Sequence, residues 1–251
     1  MLLSLRSIAM TVIYSNMSNI IEEVRRELKS YADEQTRISG ERFFKEDVKL
    51  YGVKSAVVTQ TGKEFYKTIP DKNKKYIFSL CDELWRSGYM EESFIACNWS
   101  YYVHKQYESG DFAVFESWVN KYVTNWASCD TLCNHTVGTL LEMYPGKIAD
   151  LKKWTRSGNR WMRRASAVSL IVPARKGLFL NDIFEIASLL LLDTDDMVRK
   201  GYGWMLKSAS QASQNEVFDF VVRNKSLMPR TSLRYAIEKM PEELKVIAMA
   251  K

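Results

Sequence analysis

The chain has 251 residues, 46% of them hydrophobic and 12% aromatic, with seven Trp. That composition excludes a disordered chain, and the length suits one large core or an extended helical array. A net charge of +6 favours anionic partners such as nucleic acid or a membrane surface.

Residues 1–17 are apolar but interrupted by Arg6. The run is too short to span a bilayer, so it is expected to be an N-terminal extension, with Met10 or Met17 as alternative starts, ahead of a single domain over 18–251. Ile20, Ile21, Val24 and Leu28 then form one stripe at three- and four-residue spacing, the signature of an amphipathic helix. The β-branched stretch from Val53 to Thr61 looks least helical, yet most of it is expected in a helix. Asp71 is the expected cap of a helix through Tyr76, Ile77, Leu80 and Leu84. Further helices are expected from Glu91 to Tyr107 and from Phe112 to Val123. Turn pairs such as Ser87-Gly88, Ser109-Gly110, Pro145-Gly146 and Ser157-Gly158 separate these runs. The five prolines are expected at element edges, where they interrupt no helix.

Segments of this size joined by short breaks make antiparallel helix pairs. They recur at roughly 35 to 40 residues, the size of HEAT-like units. The expected fold is therefore all-α, an α-α superhelix with a concave basic surface that can cradle a duplex. A compact helical bundle is the competing architecture.

Charge is concentrated between Gly146 and Lys207, with twelve Lys or Arg against six Asp or Glu. A solvated face with a chance excess is the plain alternative. Three segments stand out. In Asn125-Trp126-Ala127-Ser128-Cys129-Asp130, Trp126 and Asp130 share a helix face. Asn159-Arg160-Trp161-Met162-Arg163-Arg164 is dense in basic and aromatic residues. In Arg199-Lys200-Gly201-Tyr202-Gly203-Trp204, two glycines thin a helix around a Trp. Each costs about 1 kcal/mol relative to Ala in a helix interior, which points to close approach of another helix or a ligand backbone.

In order and spacing, NWASCD, NRWMRRA and RKGYGWMLK resemble segments of the AlkD-like alkylpurine DNA glycosylases, HEAT-like repeat proteins of DNA alkylation repair. LRYAIEK, from Leu233 to Lys239, looks like that family's last repeat. The similarity runs from near Arg42 to about residue 240. It implies Asp130 as the catalytic carboxylate, Trp126 and Trp204 as DNA-facing rings, and Arg164, or else Arg163, as the grip on the backbone. Arg160 and Lys200 are further expected DNA contacts. The family's N-terminal aromatic and Gly-Ile-x-Thr-Pro fall on Phe43 to Ala56, where this chain reads Gly52-Val53-Lys54-Ser55-Ala56. Phe43, Lys54 and Ser55 are the expected contacts there, without the Thr-Pro turn.

The resemblance implies a monofunctional enzyme that excises cationic N3- or N7-alkylated purines from double-stranded DNA, with no cofactor. A non-catalytic reader of distorted or branched DNA and a helical-repeat protein scaffold are the alternatives. Cys129, Cys133 and His135 lack the four well-spaced ligands of a zinc site, so no metal is expected. No phosphate-binding glycine loop is present. Four cysteines without a CxxC pair fit a reducing cytoplasm, and a monomer without membrane association is expected.

Overall fold

The structure, a computed structural model, describes residues 19–250; the expected extension at 1–17 lies outside the described residues. No strand occurs among them, only an isolated parallel bridge between Lys49 and Tyr89. The helices group into two compact units, Met1–Tyr107 and Glu108–Lys251.

The first unit holds α1 (residues 19–30), α2 (Glu34–Phe43), α3 (Ser55–Thr68), α4 (Lys74–Arg86) and α5 (Met90–Tyr102). Ile21, Val24 and Leu28 of the expected α1 stripe are fully buried. The cap of α4 is Asn73 rather than Asp71: the Asn73 carbonyl accepts from Lys75 N–H at 2.9 Å. The Asp71 carboxylate instead accepts from Asn73 N–H at 2.8 Å, one step upstream. The helix expected from Glu91 to Tyr107 begins at Met90 and closes at Tyr102, followed by a 3-10 turn over His104–Gln106. The least helical-looking stretch is α3. Its lead-in turns at Gly52, whose φ of +88° and 2.4 Å clearance from Asp33 O admit no side chain. Buried Glu91 fixes that turn by accepting from the N–H groups of Tyr51, Gly52 and Val53 at 2.9–3.2 Å.

The second unit contains α6 (Asp111–Tyr122), α7 (Trp126–Thr131), a π-helical turn (Leu132–Val137), α8 (Gly138–Met143), α9 (Ile148–Trp154), α10 (Arg160–Val168) and α11 (Ile171–Arg175). It continues through α12 (Leu180–Leu189), α13 (Asp196–Ala209), α14 (Gln214–Asn224), α15 (Arg230–Ile237) and α16 (Glu242–Met249). Pro173 departs from the expected edge position, being the third residue of α11. It is tolerated because the first turn of a helix has no use for that N–H.

The repeat is clear in the helix starts. Second helices of successive pairs begin at Ser55, Met90, Trp126, Arg160, Asp196 and Arg230, a spacing of 34 to 36 residues. In the second unit these helices stack in order, α7 on α10, α10 on α13 and α13 on α15. A polar N-cap opens three of them. Asn125 accepts from Ser128 N–H, Asn159 from Trp161 N–H and Asp195 from Met197 N–H, at 2.8–2.9 Å. The side chains between the helix layers, including Phe115, Leu132, Trp154 and Tyr202, are fully buried.

Candidate active site

A cavity of about 270 Å³ opens across the stacked helices of the second unit, lined by Trp126, Asp130, Arg164, Met197, Lys200, Trp204 and Tyr235. Its floor is a row with one residue per repeat. Asp130, Arg164, Lys200 and Tyr235 come from α7, α10, α13 and α15. Asp130, Arg164 and Lys200 are each the fifth residue of their helix, so each lies on the same face as the one before; Tyr235, the sixth residue of α15, reaches the same cavity from one position further on. Trp126 sits one helical turn before Asp130 and Trp204 one turn after Lys200, both half-buried.

Asp130 is 7% exposed and Arg164 5%. The pair is bidentate: Arg164 Nε donates to Asp130 Oδ1 at 2.9 Å and Nη2 to Oδ2 at 2.7 Å. Arg164 Nη1 also donates to the Met197 carbonyl in the first turn of α13. Both Asp130 oxygens act as acceptors, a bidentate arrangement that favours the ionised carboxylate. Burial pushes the Asp130 carboxyl above the usual aspartate range, with the guanidinium pulling the other way. For Arg164, burial opposes the charge, but the Asp130 field and hydrogen bonds outweigh it and hold the guanidinium protonated.

The two glycines of α13 each serve one neighbour. A Cβ on Gly201 would lie 3.3 Å from Arg164 Cγ; one on Gly203 would lie 2.8 Å from Tyr235 Cβ and 2.9 Å from Ser232 O. Gly201 thus makes room for the arginine that holds Asp130, and Gly203 lets α15 bring Tyr235 to the cavity. The thinning read from the sequence is close helix packing on both flanks. A π-turn begins two residues after Asp130, a geometry that concentrates near functional sites. Gly138, at its end, admits the Ser169 carbonyl, which a Cβ would meet at 2.8 Å.

In the second unit, Arg163 and Arg160 are not among the residues lining the cavity. Arg163 donates to Asp193 at 2.6 Å and to the Ser157 and Gly158 carbonyls, tying α10 to the turn before α13. Arg160 stacks over the Trp161 ring at 4.5 Å and pairs with Asp195 at 3.3 Å. Lys200 lines the cavity while paired with Asp196 at 2.7 Å. In the first unit, Phe43 is 70% exposed and edge-to-face with Phe44. Lys54 is the exposed N-cap of α3 and Ser55 its exposed first residue. Met197 and Tyr235 are not among the residues that the sequence singles out; the repeat register on α15 points to Arg234, one residue before Tyr235.

Among the described residues no group of three or more His, Cys, Asp or Glu side chains is placed to hold a metal ion. Burial pushes the Cys129 thiol beside Asp130 far up, which leaves it a poor nucleophile. No helix among the described residues is long and apolar enough to cross a membrane.

The family model described as DNA alkylation repair enzyme matches residues 24–240. A solved structure described as a predicted DNA alkylation repair enzyme from Enterococcus faecalis superposes with a TM-score of 0.73 at 13% identity, covering 84% of this chain and 97% of that one. At that identity the likeness speaks for the fold. No curated protein matches the sequence.

Proposed function

This chain belongs to the DNA alkylation repair enzyme family, and on that premise we propose that it is a monofunctional DNA glycosylase. Its substrates are cationic N3- or N7-alkylated purines in duplex DNA, and its products are the free base and an abasic site. The observation that carries this reading is a buried carboxyl group, Asp130, held on both oxygens by Arg164 in a cavity also lined by Trp126 and Trp204.

The chemistry follows from the charge of the substrate. An alkylated purine cation leaves as a neutral base, so no strong general acid is required. Positive charge develops instead on the deoxyribose as the glycosidic bond breaks. A carboxylate already fixed in place stabilises that charge without reorganising during the reaction. The faces of Trp126 and Trp204 add about 0.5–2 kcal/mol each for a nearby cation. Asp130 also serves to orient the attacking water. Arg164 acts first through Asp130: its hydrogen bonds set the plane of the carboxylate and oppose its protonation. Arg164 and Lys200 both line the cavity, where their cationic groups suit the phosphates flanking the lesion. We place the protein in the cytoplasm as a monomer, with Arg160, Arg163, Phe43, Lys54 and Ser55 as further DNA contacts.

Base release from methylated duplex DNA tests the reading. Wild-type protein is expected to release 7-methylguanine, and Asp130→Asn to abolish release while duplex binding survives. Binding without any release by the wild type would instead favour a non-catalytic DNA reader.

A further inference from the structure

The site has a third aromatic wall outside the segments that the sequence marked as chemical. Tyr235, on α15, lines the same cavity as Trp126, Trp204 and Asp130. Its helix packs on α13, which carries Lys200 and Trp204, and Tyr235 stands one position beyond the register of Asp130, Arg164 and Lys200. Its placement is built rather than incidental. Gly203 removes the one side chain that would hold α15 off, since a Cβ there would stand 2.8 Å from Tyr235 Cβ. Lys207 sits over the Tyr235 ring at 5.3 Å and is neutralised by Glu238 at 2.9 Å. That clamp fixes the ring, and the carboxylate cancels the charge behind it. Tyr235 is only half-buried and lines the cavity.

Three aromatic rings converging with one carboxylate form the arrangement that recognises organic cations. We infer that Tyr235 is a specificity-determining residue of this site, whose ring lets the cavity favour a cationic sugar over a neutral one beyond what the two tryptophans achieve. The inference rests on the glycosylase reading and refines it. A contact that strengthens only as the sugar becomes cationic acts on kcat rather than KM.

The test compares duplexes that carry, in place of the damaged nucleotide, either a cationic pyrrolidine or a neutral tetrahydrofuran abasic analogue. Wild-type protein is expected to prefer the cationic duplex. Tyr235→Leu is expected to lower that preference about three- to tenfold, the scale of one cation–π contact, and to lower kcat for base release by a similar factor with KM unchanged. Tyr235→Phe keeps the ring face and is expected to retain the preference. An unchanged preference in Tyr235→Leu, beside a wild type that prefers the cation and releases base, would overturn the role of Tyr235 alone. Loss of the preference in Tyr235→Phe as deep as in Tyr235→Leu would overturn it too, assigning the effect to the hydroxyl. A wild type with neither preference nor release would overturn the glycosylase reading and this inference with it.

Discussion

Replacing Arg164 by Met removes the guanidinium and keeps much of the side-chain volume. Asp130 then loses both donors, at 2.9 and 2.7 Å, in a position that is 7% exposed. Removing one partner of a buried pair costs about 3–5 kcal/mol, because it strands the other charge. At roughly 2–4 °C per kcal/mol for a chain of this size, the melting temperature should fall by roughly 6–20 °C at neutral pH. The loss should also depend on pH. Burial already raises the Asp130 carboxyl above its ordinary value, and without Arg164 nothing beside it opposes that rise. An acid whose folded pKa exceeds its unfolded one binds its proton more tightly when folded. Its contribution to stability is complete below the unfolded value, about 3.9, and disappears as pH rises through the folded value. The deficit of Arg164→Met should therefore be large at pH 7.5 and shrink toward pH 4. The double variant Asp130→Asn/Arg164→Met, which leaves no stranded carboxylate, should recover most of the loss. Urea unfolding of wild type, both single variants and the double variant across pH gives the coupling directly. A cost below about 1 kcal/mol at neutral pH, or a deficit that does not change with pH, would refute the buried pair as the holder of Asp130.

The glycines of α13 should respond differently from each other. Gly203→Ala drives a Cβ into Ser232 O and Tyr235 Cβ, at 2.9 and 2.8 Å, and should cost about 1–3 kcal/mol by overpacking. Gly201→Ala meets the flexible Arg164 Cγ at 3.3 Å. Its helix-propensity gain of about 1 kcal/mol offsets much of the strain, so thermal melts should show little change while single-turnover base release slows several-fold. For the wild type, kcat/KM should lose activity on acidification at a pH above the ordinary aspartate value of about 3.9. Under the glycosylase reading the ionised form of Asp130 is the active one, and burial raises its pKa. An acid limb at or below that value would argue against Asp130 as the titrating group.

Local features of the sequence were readable because they obey local rules. The α1 stripe at 20, 21, 24 and 28 is buried as its spacing requires, and the four-residue interval of Trp126 and Asp130 places both at one cavity. The glycines around Tyr202 marked a close approach that the structure locates on both sides of α13. Contacts between repeats were harder. Asp130 and Arg164 are 34 residues apart, and nothing local in NWASCD or NRWMRRA announces that one holds the other. The register was available only through the N-caps. Aligning Asn125, Asn159 and Asp195 as equivalent positions puts Asp130, Arg164 and Lys200 each five residues on, and so in one row. The excess of basic residues was also only half the account, because Arg160, Arg163, Arg164 and Lys200 each sit against an aspartate. The sequence points to an edge position for Pro173 because a five-residue helix is too short for its periodicity to show.

That pairing decides which cations are free to meet a phosphate. Lys200 and Asp196 form a half-exposed i,i+4 pair, with side chains 32% and 47% accessible; solvent-accessible pairs contribute about 0–1 kcal/mol and are screened by salt. A phosphate can take Lys200 from Asp196 at almost no cost. Drawing Arg164 from Asp130 would strand a buried carboxylate at about 3–5 kcal/mol, and would release the group that the reaction needs fixed. DNA binding under the glycosylase reading therefore recruits Lys200 by exchange and Arg164 only through its unused N–H groups. The repeat makes this division possible: one row of equivalent positions sets a buried ion pair on two helices and a weakly held cation on the third.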